Sequence, residues 1–389
     1  MRSAVEQEIR DLVQKNGPIT FAQFMQTYLY SPRGGFYSAR GDRINAHFGT
    51  SATSHPVFGA LIARQLEQMW HLLGDPSVFH VIEVGSGDGA LAHSIVNACW
   101  RLAPRFSQAI NYIATDYEPR GFQSPDNTFE WNPETAYGMA SRFRGSFSEI
   151  QPVKGDGLRA FRNIVGCVLS NELIDNFPVH RFAIQDGRVQ EIFVTTDEGK
   201  FTEILGEPSS PCIQERLTGL GLSLPEGFRG EVNLAIEDWA VQLSSALDRG
   251  FILTIDYGQL APDLYSPKNG RGTIVCHHRH SVSDDPYQRI GKQDITCQVD
   301  FTSLMEVGDE YGLTTVGYVL QSQFLENLGF SSFVDALQMW GLSAARMELN
   351  RIAMMTLVDA EEYGDFKVLA QAKGVELDSD LLGFQGHAT

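Results

Sequence analysis

From residue 78 onward, short apolar runs alternate with stretches of helical periodicity, and the first run enters a turn of three glycines before a helix begins. Parallel strands need long crossover connections, usually helical, so this alternation predicts an α/β chain built on a mostly parallel sheet. The strand candidates are FHVIEVG (79–85), INYIATD (110–116), VGCVLSN (165–171) and FILTIDYG (251–258), with two more at 314–321 and 366–372. Each of the first four ends in polar or acidic residues followed by a turn, and that carboxyl edge is where open α/β sheets bind ligands. Helical periodicity places the crossovers at 89–102, 134–144, 234–248 and 300–311.

The flanking segments have a different texture. Val5, Ile9, Leu12 and Val13 form a helical stripe that stops at Gly17-Pro18, and Thr20 reads as the N-cap of a second helix carrying Phe21, Phe24, Met25 and Leu29. Residues 31–56 lack periodicity and read as a long loop, of the kind that borders active sites. A further helix is expected over 56–73. VHRFAIQDGRVQEIFV has two apolar runs around Asp186-Gly187, a hairpin signal, and KFTEIL adds a third strand. The expected organisation is an N-terminal helical region with an active-site loop (1–75), a core (76–177, 230–330 and 364–374), an inserted β-meander (178–229), a helical insertion (331–363) and a frayed tail (375–389).

At 389 residues the chain is long enough for two to three structural units. Its net charge of -18 repels polyphosphate and anionic lipid, so neither nucleic acid nor a membrane is an expected partner. The five cysteines are scattered, with no paired spacing, which suggests neither a disulfide framework nor a zinc site. No stretch approaches the roughly 18 apolar residues of a membrane span, and no signal-like segment opens the chain, so a cytoplasmic protein is expected. HHRH at 277–280 lacks the carboxylate or thiol spacing of a metal centre and reads as loop histidines.

Chemistry concentrates first in VIEVGSGDGALAHSIV. Gly85, Gly87 and Gly89 allow a tight turn and close backbone approach to a nucleotide at a helix N-terminus. Gly85-x-Gly87-x-x-Ala90 also fits a dinucleotide fingerprint. Glu83 and Asp88 separate the two readings, because their carboxylates would repel a pyrophosphate but suit a cofactor carrying a sulfonium and an ammonium, namely S-adenosylmethionine. Asp116, at the end of the next strand, is placed to accept ribose hydroxyls in either case. Tyr117 is a candidate cover for the adenine and Asp156 a candidate acceptor for its amino group. A plain strand-to-helix turn with solvated carboxylates is the alternative.

The second concentration is LSNELIDNFPVHRF. Asn171 and Glu172 end the strand predicted beside the glycine turn, where acceptor and transferable methyl would meet. Asp175 lies three residues on, so one helical turn would set both carboxylates on one side, able to fork onto a guanidinium. Helix capping and surface charge form the competing reading. No GxSxG nucleophile elbow occurs.

Over nearly its whole length the chain resembles the MidA-type S-adenosylmethionine-dependent methyltransferases, a family that includes the mitochondrial complex I assembly factor that methylates an arginine. The resemblance is carried by GPITFAQFM, FGTS with VFG, EVGSGDGAL, NELIDNFPVHRF, IDYG, RGTIVCHHRH, GKQDITCQVDF, QFLENLGF and FKVLAQ, in the family's order. It implies a class I, Rossmann-like fold with a seven-stranded sheet, S-adenosylmethionine as cofactor, and a nucleotide turn on Gly85, Gly87 and Gly89. It also implies a ribose acid on Asp116 and a strand-end acid on Glu172. The expected partner is a protein or small-molecule methyl acceptor; a scaffold that binds cofactor without turnover is a third reading, and a homodimer is compatible with each. One departure bears on substrate: where the family reads FxTSPEISQxFG, residues 48–59 read FGTSATSHPVFG, with Ala52-Thr53 replacing Pro-Glu.

Overall fold

The apolar runs of the sequence come together as one sheet. Its strands are β1 (Phe79–Val84), β2 (Ile110–Asp116), β3 (Ile150–Lys154), β4 (Ile164–Asn171), β5 (Leu247–Asp256), β6 (Thr314–Leu320) and β7 (Lys367–Lys373). Their spatial order is 3-2-1-4-5-7-6. Neighbours from β3 through β5 run parallel, whereas β7 is antiparallel to both β5 and β6. Chain order reverses between β1 and β4, which makes their carboxyl ends the topological switch point. The central strands are covered on both faces, so they read as near-continuous apolar runs rather than alternating ones.

The computed structural model describes residues 3–38, 49–117, 150–155, 157–279 and 281–386. The expected helix at 134–144 and Asp156 lie outside the described residues. The chain divides into two units: Gly49–Leu173, Ala240–Tyr257 and Gly308–Thr389 in one, and Met1–Phe48, Ile174–Trp239 and Gly258–Val307 in the other. In the sheet-bearing unit, helices Val57–Leu72 and Ala90–Leu102 bury Phe58, Leu61, Leu66, Ile95 and Cys99 in one core with Phe79, Val81, Phe251 and Leu253. Burial of this kind stabilises by about 1.5–3 kcal/mol for each large side chain. Helices Phe330–Ala336 and Ala344–Met355 make up the helical insertion.

In the other unit, Ile19–Thr20, His180–Gln185, Arg188–Asp197, Lys200–Gly206 and Arg229–Val232 form an antiparallel sheet. Asp186 and Gly187 both have positive φ, 52° and 70°, the backbone that a two-residue hairpin turn demands. Helices Ala4–Asn16 and Phe21–Tyr30 bury Val5, Ile9, Phe21, Phe24 and Leu29 against Val179, Val194 and Ile295. Thr20 closes a capping box with Gln23, as its position before the periodic run predicts.

Three expectations need correction. The tail does not fray over its described residues: Leu381 and Phe384 are buried, Phe384 packs edge-on to Phe324, and Gln65 accepts the Gly383 N–H. His277 and His278 lie in a strand, Val275–His278, paired on both sides, rather than in a loop; His280 lies outside the described residues. Finally, no helical turn joins Glu172 to Asp175. Glu172 has φ 51°, a left-handed backbone that breaks any helix there, and Asp175 follows in a separate 3₁₀ turn, Ile174–Asn176.

Candidate active site

The glycine turn follows β1 directly. Gly85 and Ser86 both donate their N–H groups to the Thr115 carbonyl, at 2.9 and 3.0 Å, which ties the turn to the end of β2. Gly87 donates its N–H to Oδ2 of Asp116 at 2.9 Å, fixing that carboxylate. Gly85, Gly87 and Gly89 all have positive φ, at 75°, 55° and 77°. A side chain at Gly85 would strike Leu173, its Cβ only 2.8 Å from Cδ1, whereas among the described residues nothing lies within 4 Å of a Cβ built on Gly87. The first glycine thus allows β1 and the segment after β4 to approach each other, and the second faces space that no described residue fills. Such space beside an anchored carboxylate suits a nucleoside.

Glu83 is almost fully buried in β1 and accepts a hydrogen bond from the Tyr112 hydroxyl at 2.8 Å. Burial pushes its pKa up to about 8, only partly opposed by the tyrosine. Asp88 accepts the Ala90 N–H at 3.0 Å and so serves the first turn of helix Ala90–Leu102. Tyr117 is exposed just beyond β2. The glycine turn with the carboxylates of Glu83 and Asp116 beside it is a donor set that fits S-adenosylmethionine.

The second motif sits across the switch point. Asn171 pairs with Ile255 in the sheet, and Glu172 donates its backbone N–H to the Ile255 carbonyl at 2.9 Å. Three donors converge on Oε1 of Glu172: the Ser51 N–H at 2.9 Å, the Ser51 hydroxyl at 2.9 Å and Nδ2 of Asn171 at 3.1 Å. The Ser51 hydroxyl is also 3.0 Å from Oδ1 of Asn171. Among the described residues, Oε2 accepts no hydrogen bond. Burial raises the Glu172 pKa against the lowering by these donors. Asp256, fully buried at the end of β5, accepts the Leu173 N–H at 3.2 Å and so orients the chain after Glu172.

The structure brings Glu83, Gly85, Gly87, Asp88, Gly89, Asp116, Tyr117, Asn171 and Glu172 into the sheet-bearing unit, while Asp175 belongs to the other. There Asp175 is buried and its carbonyl accepts the Cys297 N–H at 3.0 Å. Residue reading missed Ser51, Tyr112 and Asp256. Ser51 and Asp256 lie inside motifs that carry the resemblance, FGTS and IDYG, but neither motif reveals which side chain it would meet.

The comparisons with known proteins agree with this geometry. Residues 61–319 match the family model of S-adenosyl-L-methionine-dependent methyltransferases. The protein arginine methyltransferase NDUFAF7 homolog, mitochondrial, of Drosophila melanogaster is 25% identical over 408 aligned positions, spanning 96% of this chain and 85% of its own. The Homo sapiens NDUFAF7 is 25% identical over 332, spanning 82% and 71%. A COG1565 superfamily member from Burkholderia thailandensis, solved with S-adenosyl-homocysteine bound, matches with a TM-score of 0.80 at 26% identity, covering 98% of this chain and 95% of its own. The names of the curated relatives place them in mitochondria, so the cytoplasmic expectation finds no support in them. Among the described residues no helix is long and apolar enough to cross a membrane. This chain belongs to the S-adenosyl-L-methionine-dependent methyltransferase family, with S-adenosylmethionine as its cofactor.

Proposed function

We propose that the methyl acceptor is an arginine of a protein, held by Glu172. The observation that carries this reading is the asymmetry of the carboxylate: Oε1 is saturated by Ser51 and Asn171, which leaves Oε2 to receive an acceptor N–H. A guanidinium presents planar N–H donors, and a part-buried carboxylate recognises them with charge-assisted hydrogen bonds. The family's curated relatives are named protein arginine methyltransferases, which supports the same acceptor class.

S-adenosylmethionine, when bound, supplies a methyl group on a sulfonium whose departure leaves a neutral thioether. The chain's own residues then have three tasks. Glu83 and Asp116 bind, through the ammonium and the ribose. Asn171 and Ser51 fix Glu172 in one rotamer, so that Oε2 orients the attacking nitrogen. As the N–C bond forms, that nitrogen loses a proton, and Oε2 is the group placed to take it.

An enclosed small-molecule pocket lined by Ala52, Thr53 and His55 finds no support. His55 is fully buried, Ala52 packs on the core and Thr53 is exposed, its hydroxyl accepting the Thr50 N–H. The deciding experiment is incubation of the purified protein with isotope-labelled S-adenosylmethionine and an extract of cells lacking it, followed by mass spectrometry. Label on arginine of a polypeptide is expected. Label confined to a metabolite, or none at all, would overturn the reading.

A further inference from the structure

We propose that His55 and Asn350 are positioning residues for methyl transfer, which pin the segment carrying Ser51 to the helical insertion and so hold Ser51 against Glu172. The proposal rests on the assignment of Glu172 to the acceptor. Ser51–Ser54 is a helix of one turn, far too short to persist by itself. Something else must keep Ser51 in place, and the chain is anchored four residues further on. His55 is fully buried, with Nε2 3.0 Å from Oδ1 of Asn350 in helix Ala344–Met355.

The bond has one chemical sense. Nδ1 of His55 accepts the Val57 N–H at 3.1 Å, so the proton of the neutral ring sits on Nε2 and donates to Asn350. Nδ2 of Asn350 donates to the Arg346 carbonyl one turn back, at 2.8 Å, which fixes the amide with Oδ1 toward the imidazole. Trp340 stacks near the ring, centroids 6.5 Å apart and planes 14° apart. Donor, acceptor and ring plane are therefore all determined. The bond joins residues 295 positions apart, four residues from the side chain that holds Glu172.

The test uses the full-length protein and Asn350→Leu, Asn350→Asp, His55→Ser and Glu172→Gln variants. S-adenosyl-homocysteine affinity is read by calorimetry. Turnover is read as labelled-methyl incorporation into extract polypeptide from cells lacking the enzyme, at saturating S-adenosylmethionine. Asn350→Leu is expected to lower turnover about tenfold with affinity within twofold, roughly 1.4 kcal/mol on the catalytic step alone. Asn350→Asp keeps Oδ1 and should recover most of that loss. In the Glu172→Gln background, Asn350→Leu should add little, because both act through one carboxylate. An Asn350→Leu protein that binds S-adenosyl-homocysteine and turns over normally overturns the pin, as does a fully multiplicative loss in the double variant. If Asn350→Leu fails to bind because it does not fold, His55→Ser decides on the same criteria. Normal turnover by Glu172→Gln alone would overturn the acceptor reading and the pin with it, whereas an impaired Glu172→Gln beside an active Asn350→Leu overturns only the pin.

Discussion

Ser51 gives both its backbone N–H and its hydroxyl to a single oxygen of Glu172, each at 2.9 Å. The backbone donor survives any substitution, so the hydroxyl can be removed by itself. Ser51→Ala should leave S-adenosylmethionine affinity unchanged and lower turnover about tenfold, the scale of one hydrogen bond to a charged group. Turnover equal to the wild type in that variant would show that Glu172 needs no such support.

Gly87 combines a φ of 55° with space at its missing Cβ that no described residue fills. Gly87→Val should weaken S-adenosyl-homocysteine binding by more than tenfold, roughly 1.4 kcal/mol or above, because the new side chain enters cofactor space from a strained backbone. Calorimetry measures this directly, and unaltered affinity would move the cofactor away from the turn.

Glu83 sets a pH signature. Its pKa is about 8 in the folded, cofactor-free chain against an ordinary 4.5, so the folded state holds the extra proton. The corresponding stability is fully present below about pH 4.5 and is lost as pH rises through about 8. Melting temperatures of wild type and Glu83→Gln should therefore agree near pH 4.5 and diverge as pH rises toward about 9, with wild type the less stable. At pH 7, pairing of Glu83 with the cofactor's ammonium should release a proton, seen as a buffer-dependent heat of S-adenosylmethionine binding. No difference in that heat between wild type and Glu83→Gln would remove Glu83 from the ammonium site.

His55 predicts the opposite limb. Burial lowers its pKa to about 4 from 6.5, so the folded state excludes a proton that the unfolded chain binds. Its contribution is complete above about pH 6.5 and is lost as pH falls toward 4. Wild type should lose melting temperature more steeply than His55→Ser over that interval, and parallel curves would contradict the buried neutral ring.

The sheet was legible because its strands are apolar on both faces and its glycine turn has few structural alternatives. The edge strand Ile150–Lys154 was not, since an edge is half-exposed and this one carries Pro152, which weakens every strand signal. Asp186-Gly187 announced its hairpin through a local backbone requirement. Ser51 and Glu172, by contrast, lie 121 positions apart, and no periodicity records such a meeting. The expected partnership of Glu172 with Asp175 failed for a local reason: sequence spacing assumed a helix where the backbone adopts φ 51°.

If Glu172 serves the acceptor and not the cofactor or the fold, one substitution separates the three roles. Glu172→Gln keeps the carbonyl oxygen that Ser51 can bond but removes the charge and the proton acceptor. Its S-adenosylmethionine affinity should stay within a few-fold of wild type while labelled-methyl incorporation into polypeptide arginine falls about a hundredfold or more. Wild-type incorporation, or an equal loss of cofactor binding, would remove Glu172 from the acceptor.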